Sequence, residues 1–174
     1  MEKGLRVNFF RRLLNSDDER GTPAPEAFTI RFAADQSRPA VFAPRNADPQ
    51  AVIAALELEQ PTPTIFISGG AAMMDGEMVR RMRSSIEDGL VRFLSTRNIS
   101  LIDGGTATGV MPLIGVARQR RGYHFPLIGV APEGKVSIPE AEPAGTTVAL
   151  DAAHSHFVLV EGDQFGAESE MIIQ

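Results

Sequence analysis

The chain contains no cysteine, which excludes disulfide bonds, thiolate metal sites and cysteine nucleophiles. It also lacks long apolar runs: Arg11 and Arg12 interrupt the first one, and none approaches the roughly 18 apolar residues of a membrane-spanning helix. Positive charge is not in excess, since 17 Lys and Arg stand against 22 Asp and Glu. We therefore expect a cytoplasmic segment, on the cytosolic face if the whole protein is membrane-attached. It should make no membrane contact itself and should not bind nucleic acid.

The length of 174 residues suits one folded domain. Residues 1–24 join a short apolar patch to a polar run that ends in Gly21-Thr22-Pro23, a pattern typical of a connecting segment. We predict a flexible N-terminal arm over residues 1–24 and a folded domain over residues 25–174.

Short apolar runs alternate with amphipathic stretches along most of the domain. Such alternation predicts an α/β fold, and we expect a Rossmann-like three-layer sandwich with a mainly parallel sheet. The run Thr64–Ser68 is continuously apolar before its serine, which predicts a strand buried on both faces. The other predicted strands are Phe28–Phe32, Val41–Phe42, Ile99–Ile102, Phe125–Ala131 and His156–Val160, and helices are predicted after Asp48, after Asp75, from Val110 and from Ala167.

Three segments between and after these strands carry further expectations. Residues 137–147 are rich in Pro and Gly, so we predict an irregular flap over the site. The last helix stops at Gln174 within its second turn, and so short a helix is marginal alone. We therefore expect the natural polypeptide to continue past Gln174. The helix after Asp75 should bury the apolar face formed by Val79, Met82, Ile86, Leu90 and Phe93.

Two predicted strands end in glycine pairs, Gly69-Gly70 and Gly104-Gly105, each directly before a helix. Open α/β sheets bind ligands at this edge, where the carboxyl ends of parallel strands meet. Glycine lets the backbone approach a ligand closely, and free N–H groups at a helix start attract an anion such as phosphate. Thr106 and Thr108 add hydroxyl donors there. The alternative is that the glycines only form tight turns, but two such pairs favour a ligand site.

Neither glycine pair belongs to a G-x-G-x-x-G dinucleotide fingerprint. The spacing from Gly105 to Gly109 is that of a phosphate loop, but the Lys-Ser/Thr needed to hold Mg²⁺ and the terminal phosphates is missing. The pattern therefore disfavours triphosphate hydrolysis and hydride transfer.

Five blocks follow one another in the sequence: Ile67-Ser68-Gly69-Gly70, Asp103-Gly104-Gly105-Thr106-x-Thr108-Gly109, Ile128-Gly129-Val130-Ala131-Pro132-x-Gly134, Leu150-Asp151-x-x-His154-x-His156-Phe157, and Phe165-Gly166-Ala167-Glu168. In this order they resemble the motifs of the SLOG superfamily. The resemblance is to the nucleotide-sensing domain of melastatin-type TRP channels and its prokaryotic relatives, the LSDAT-like domains. It spans about residues 26 to 174.

The resemblance implies a domain that senses ADP-ribose, cyclic ADP-ribose or a similar nucleotide, with no other cofactor and no metal. It also implies a regulated effector, either fused beyond Gln174 or a partner, and we expect a homo-oligomer. In this interpretation, Glu168 meets ribose hydroxyls or holds its loop. The ligand-binding residues implied by position are Ser68, Gly69, Gly70, Gly104, Gly105, Thr106, Thr108, Gly109, Pro132, Gly166, Ala167 and Glu168.

Two other functions stay open. The same superfamily includes phosphoribohydrolases that cut the N-glycosidic bond of nucleoside monophosphates, with the signature Pro-Gly-Gly-x-Gly-Thr-x-x-Glu. Here Glu170 falls on the catalytic position, but Gly162-Asp163-Gln164 replaces Pro-Gly-Gly and Ala167 replaces the threonine. These changes disfavour catalysis, because small positioning errors cost much rate. The third hypothesis is a non-catalytic assembly module.

Two groups of basic side chains suggest weaker hypotheses. His154 and His156 are two residues apart, so on a strand they would share a side and bind a metal with Glu161 or Asp163. Hydrogen bonds to a neighbouring loop are the favoured alternative. For the arginines at the end of the helix that begins near Val110, we favour a purely structural role that complements the helix dipole. These arginines are Arg118, Arg120 and Arg121.

Overall fold

A computed structural model describes residues 24–58, 63–68, 75–139 and 147–173. The strands are β1 (Glu26–Ala33), β2 (Gln36–Ala43), β3 (Thr64–Phe66), β4 (Ser100–Asp103), β5 (Leu127–Pro132), β6 (Val136–Ser137), β7 (Val148–Ala149) and β8 (His156–Val160). The α-helices are α1 (Pro49–Ala55), α2 (Gly76–Ser84), α3 (Val91–Arg97), α4 (Met111–Arg120) and α5 (Ser169–Ile173). A π-helical segment, Ser85–Leu90, joins α2 to α3, and a 3₁₀ turn, Glu133–Lys135, follows β5.

Six strands form one sheet in the order β1-β2-β8-β5-β4-β3. Strand β1 is antiparallel to β2, whereas every other neighbouring pair in this sheet is parallel. Strands β6 and β7 form a separate parallel pair. The carboxyl ends of five strands therefore meet at a single edge, called the carboxyl edge below.

Helices cover both faces of the sheet. On one face, Val52 and Leu56 of the α1 region and Met171 of α5 pack against alternate residues of β2, β5 and β8. On the other face, Ile86, Leu94 and the buried residues of α4 pack against β4 and β5. This arrangement confirms the predicted Rossmann-like sandwich with a mainly parallel sheet.

The helices that follow the strands turn to opposite faces across the middle of the sheet. The helix that follows β4 is α4, and it lies on one face, whereas α5, which follows β8, lies on the opposite face. Strand β5 lies between β4 and β8 and leads only into a 3₁₀ turn. This is a topological switch point, at which successive crossovers leave a crevice outside the strand ends.

The helix predicted after Asp75 begins there, and the Asp75 carboxylate accepts a hydrogen bond from the Met78 N–H. The predicted apolar face is confirmed at Ile86 but is wrong at Met82, which is 37% exposed before the π-helical segment, and at Phe93 after it. The π-helical segment has i to i+5 hydrogen bonds and adds residues to its turns, so it rotates the later side chains. Consequently Val91 and Leu94 are buried, and Phe93 is 46% exposed.

The predicted strand buried on both faces at Thr64–Ser68 is also wrong. Strand β3 spans only Thr64–Phe66 and lies at the edge of the sheet, and Phe66 is 45% exposed. A continuous apolar run does not distinguish a central parallel strand from an edge strand.

The remaining predicted strands and helix starts are confirmed. Their predicted ends differ from the observed ends by at most five residues. Residues 1–23, Gly69-Gly70 and most of the predicted flap lie outside the described residues. Within the described part of the chain, no helix has the length and apolar character that crossing a membrane requires.

Candidate functional site

A cleft of about 440 Å³ opens at the carboxyl edge of the sheet. Its walls come from the residues that follow three adjacent strands: Arg45 after β2, Glu133 and Gly134 after β5, and Glu161, Gly162 and Asp163 after β8. The volume lies within the range of small-molecule sites in proteins, about 300–1,000 Å³. A backbone hydrogen bond of 2.9 Å from Gly134 N–H to the Gly162 carbonyl ties two of these segments together.

The cleft contains one cation and three carboxylates. Burial, reinforced by the negative charge of Glu161, raises the pKa of Glu133 above its ordinary value. Oε2 of Glu161 accepts a long hydrogen bond, 3.4 Å, from the Arg45 backbone N–H. An acidic wall of this kind suits hydroxyl donors, because a carboxylate accepts hydrogen bonds from vicinal hydroxyls, as it does from ribose in dinucleotide-binding folds.

The loop after β4 lies on the next strand over, at about one strand spacing of 4.8 Å from β5. A Cβ placed on Gly104 would meet only the Met111 side chain within 4 Å, at 3.5 Å, among the described atoms. The backbone at Gly104 is therefore open on that side. Helix α4 begins just beyond, and within the described residues no side chain caps it.

Gly105 has a different environment. Its φ of +63° is left-handed, and a Cβ there would lie 2.7 Å from the Gly129 Cα and 3.2 Å from the Phe157 ring. Two strand-end backbones can approach this closely only because both residues are glycine. The structure thus gives Gly105 a packing role, and its contact with a ligand stays a prediction.

A buried charged triad lies beneath this loop. The His154 side chain is fully buried, and its Nε2 lies 2.8 Å from Oδ1 of Asp103, which is also fully buried. On the other side of the ring, Nδ1 lies 3.2 Å from both the carbonyl oxygen and Oδ2 of Asp151. Nδ1 donates a hydrogen bond to this carbonyl, and Oδ2 of Asp151 adds its negative charge at the same distance. Among the described residues, Oδ2 of Asp103 has no hydrogen-bond partner.

Burial by itself would lower the pKa of His154. The hydrogen bonds and negative charges of Asp103 and Asp151 outweigh it and raise the pKa from 6.5 to about 9. The imidazole is therefore protonated at neutral pH and donates from both nitrogens. One imidazolium thus lies between two carboxylates and offsets part of the cost of burying their charge.

The triad fixes the glycine loop from below. Oδ1 of Asp103 accepts a 2.7 Å hydrogen bond from the Gly105 N–H, and the Asp151 N–H donates to the Gly105 carbonyl at 2.9 Å. Thr106 then forms an antiparallel bridge with Leu150. The loop conformation is set by these contacts.

The predicted threonines are engaged within their own loop. The Thr106 and Thr108 hydroxyls lie 2.9 Å apart, and Thr106, which is buried, also donates to the Met111 sulfur at 3.2 Å. Gly109 supplies a left-handed turn, with φ of +62°, two residues before α4. Direct ligand contacts by all three stay predictions.

The predicted ligand residues at the end of β5 and before α5 lie near the cleft. Pro132 is buried at the end of β5. Ala167 packs against Gly162, because a Cβ added to Gly162 would lie 2.6 Å from the Cβ of Ala167. The Glu168 carboxylate accepts a 2.8 Å hydrogen bond from the Gly166 N–H, so it holds its loop. Glu170, the candidate catalytic residue, is exposed in the five-residue helix α5.

Ser68 is exposed after β3, and Gly69-Gly70 lies outside the described residues. The structure therefore brings together the segments after β4, β5 and β8, while the predicted pairing of two glycine turns stays untested. Sequence reasoning missed Arg45, Glu133 and Glu161 as cleft residues. The signal that could have found them was position, since each follows a predicted strand by one to three residues.

The hypothesis of a shared metal site at the two histidines is not supported. His154 lies before β8 and is enclosed by aspartates, whereas His156 begins β8 and Glu161 follows its end, about 16 Å away along an extended strand. Within the described residues, no group of three potential ligands is arranged to hold a metal ion.

The sheet order and its flanking helices define a Rossmann-like α/β class of domain, with a cleft at the carboxyl edge of the sheet. Residues 62–174 match the family described as SLOG in TRPM, prokaryote, and the chain belongs to that family. It is also 30% identical over 137 residues to the transient receptor potential cation channel subfamily M member 2 of Rattus norvegicus. The protein of that name from Mus musculus is 29% identical over 140 residues. Each match covers 64% of this chain but 9% of the channel.

Proposed function

We propose that this domain binds a nucleotide-derived small molecule, ADP-ribose or a close relative, at the carboxyl edge and reports its presence to an effector. The observation that carries the proposal is the switch point, where an acidic cleft adjoins an open glycine loop and an uncapped helix start. A ligand with both hydroxyl donors and phosphate groups matches these two neighbouring surfaces.

The acidic cleft favours the ribose end of such a ligand. Glu133, Glu161 and Asp163 outnumber Arg45, so the cleft repels a bare phosphate and accepts hydrogen bonds from sugar hydroxyls. A ligand made only of phosphate does not fit this cleft. The proposal thus assigns the ribose to the loops after β5 and β8.

The Gly104 loop favours the phosphates. The start of α4 carries the positive end of the helix dipole, and Gly104 presents no side chain toward the open side. Pro112 has no N–H and the Leu113 N–H already donates to the Val110 carbonyl, so the helix dipole, rather than a set of free N–H groups, favours the phosphates here. The span from this loop to the cleft is one to two strand spacings, about 5–10 Å. A ribose joined to a diphosphate bridges that distance.

A sensor needs an element that responds to occupancy. The residues between the cleft and α5 are few, and Met171 and Ile172 pack on the sheet face opposite α4. A ligand that draws Glu161 or Asp163 toward its hydroxyls would shift the packing of α5. The family relationship to channel proteins supports a regulatory role of this kind.

Binding is best tested by thermal shift with ADP-ribose, cyclic ADP-ribose, NAD and AMP. A ligand at about a hundred times its Kd stabilises the fold by about 2.7 kcal/mol, which raises Tm by roughly 5–10 °C for a domain of this size. Failure of every ligand to raise Tm would contradict the proposal. A stable oligomer whose assembly and Tm do not change when nucleotide is added would contradict it too.

Two variants localise the binding. Gly104→Ala adds a methyl group that meets only the Met111 side chain, at an ordinary contact distance of 3.5 Å, so it should leave Tm of the free protein within about 2 °C. It should nevertheless weaken ADP-ribose by about tenfold or more, because it blocks close backbone approach. Glu161→Gln should weaken ADP-ribose by a similar factor but leave inorganic pyrophosphate unaffected. Gly105→Ala is unsuitable, since it collides with the Gly129 backbone and reports only stability.

The hydrolase hypothesis is separated by the fate of the ligand. The sensor proposal expects AMP, NAD and ADP-ribose to be recovered unchanged after long incubation, as judged by chromatography. Release of free base that Glu170→Gln abolishes would establish the enzyme instead.

A further inference from the structure

A second cleft, of about 380 Å³, opens at the opposite edge of the sheet, where β2 and β8 begin. The length of β8 separates it from the carboxyl-edge cleft, so neither its position nor its chemistry depends on the proposed nucleotide site. Its lining contains three basic side chains and two hydroxyls, with no carboxylate among the described residues. The lining residues are Ser37, Arg38, Pro39, Arg118, Ser155 and His156.

Arg38 is held in place by neutral partners. Its Nε donates to the His154 carbonyl at 2.6 Å, and its two terminal nitrogens donate to the carbonyls of Ala152 at 3.1 Å and Ser37 at 2.9 Å. Carbonyl oxygens fix the geometry of the guanidinium but do not neutralise its charge. A fixed, uncompensated guanidinium in a cleft is a ready partner for an oxyanion.

Arg118 reaches the same cleft from α4. Its Nε donates to the Phe125 carbonyl at 2.8 Å, and its guanidinium lies 5.5 Å from the centre of the Phe125 ring. Among the described residues, no carboxylate lies within salt-bridge distance of Arg118 or Arg38. By contrast, Arg121, one turn further on, pairs with Asp88 at 2.7 Å. Asp88 thus neutralises Arg121 at the exposed end of α4, whereas no described carboxylate neutralises the two arginines of the cleft.

Ser155 and His156 complete the polar lining of the cleft. The Ser155 hydroxyl accepts from the Leu127 N–H at 2.8 Å, donates to the Leu127 carbonyl at 2.9 Å, and lies 2.9 Å from Nδ1 of His156. Since the single hydroxyl proton goes to Leu127, Nδ1 of His156 carries the hydrogen. Burial and the positive charges of Arg118 and Arg38 lower the pKa of His156, so its ring is neutral until an anion enters.

The geometry points to a second ligand site in this cleft, one that binds the phosphate group of a small molecule between Arg38 and Arg118. The two guanidinium groups supply charge and forked donors, and the Ser37 hydroxyl adds a neutral donor at the exposed rim. A protein with a formal charge of −5 that keeps two uncompensated arginines in one cleft has a local field suited to a dianion.

Inorganic phosphate is the probe that tests this site, titrated by calorimetry at constant ionic strength. We expect one saturable site in the free protein. Arg118→Gln removes the charge but keeps an N–H donor for the Phe125 carbonyl, and it should weaken phosphate by about tenfold or more. Arg121→Gln makes the same charge change on the same helix outside the cleft and should alter the affinity less than twofold.

A second readout separates binding from structure. Phosphate between the two arginines should raise the pKa of His156, followed through its imidazole proton resonances, because the anion offsets the positive charges of Arg38 and Arg118. His156→Gln should weaken phosphate while leaving the fold intact. AMP and ribose 5-phosphate, added in parallel, show whether the phosphate is read free or as an ester.

Several results would overturn the assignment. One is an equal loss of affinity in Arg118→Gln and Arg121→Gln, which would mean only a general charge effect. Others are a failure to saturate at tens of millimolar phosphate, or an unchanged pKa of His156. Binding that survives Arg118→Gln but is lost in Gly104→Ala would assign the anion to the carboxyl edge, and the second site would be wrong.

Discussion

The pH dependence of folding is a direct consequence of the triad formed by Asp103, His154 and Asp151. Protonated His154 lies between the Asp103 and Asp151 carboxylates in the folded state and is stabilised by both charges, and its pKa is raised from 6.5 to about 9. In the unfolded chain the same imidazole releases its proton near its ordinary pKa. The folded state therefore retains a proton between pH 6.5 and 9 that the unfolded state has lost.

The sign and size of the effect follow from this difference. Since the folded state binds more protons in this window, stability is fully present below pH 6.5 and falls as the pH rises through 9. At about 1.4 kcal/mol for each pKa unit, the loss amounts to about 3 kcal/mol. That is a large part of the 5–15 kcal/mol that stabilises an ordinary domain.

Urea denaturation at pH 6, 7, 8 and 9 measures this loss as a fall in the free energy of unfolding. His154→Gln should abolish the alkaline fall and cost roughly 3–5 kcal/mol at pH 7, because it leaves two buried carboxylates without a cation. His156→Gln is the matched control and should keep the alkaline fall, since the pKa of His156 is lowered rather than raised. Equal stability at pH 6 and 9, or the same slope in His154→Gln, would refute the reasoning.

Two further predictions concern packing and capping. Gly129→Ala should lower the free energy of unfolding by about 2–3 kcal/mol, because its Cβ would lie 2.5 Å from the Gly105 Cα. Gly89→Ala, with no described atom within 4 Å of the added Cβ, should not lower it; equal losses in a urea titration would contradict the packing argument. Asp75→Ala should cost about 1 kcal/mol, since the 2.8 Å hydrogen bond to the Met78 N–H caps α2, whereas Asp75→Asn should recover most of that loss.

The fold could be predicted because its strands are short apolar runs bounded by turn residues, and this pattern is local. Asp48 and Asp75 show the same for helix starts, since each caps the helix predicted after it. The burial of individual side chains could not be predicted so well. Phe93 is exposed because a π-helical segment rotates the helix. Helical periodicity in the sequence does not indicate the residues that this segment adds to its turns.

The candidate site was predicted only in part, because its residues come from separate loops. The Gly104-Gly105 pair follows β4 at the edge where the cleft opens, yet the Gly105 φ and its contact with Gly129 show that packing requires this glycine. Arg45 and Glu133 carry no motif and enter the cleft only through the strand order. Charge pairing between distant residues, such as Asp103 with His154, likewise depends on tertiary structure.

The central claim is that a nucleotide derivative occupies the carboxyl edge between the β4 and β8 loops. Amide chemical shifts of the ¹⁵N-labelled protein, followed during an ADP-ribose titration, test it most directly. We expect saturable shifts that are largest at Gly104–Gly109, at Glu133 and Gly134, and at Glu161–Asp163. Saturable shifts confined to other parts of the sheet, or none at millimolar ligand, would contradict the claim.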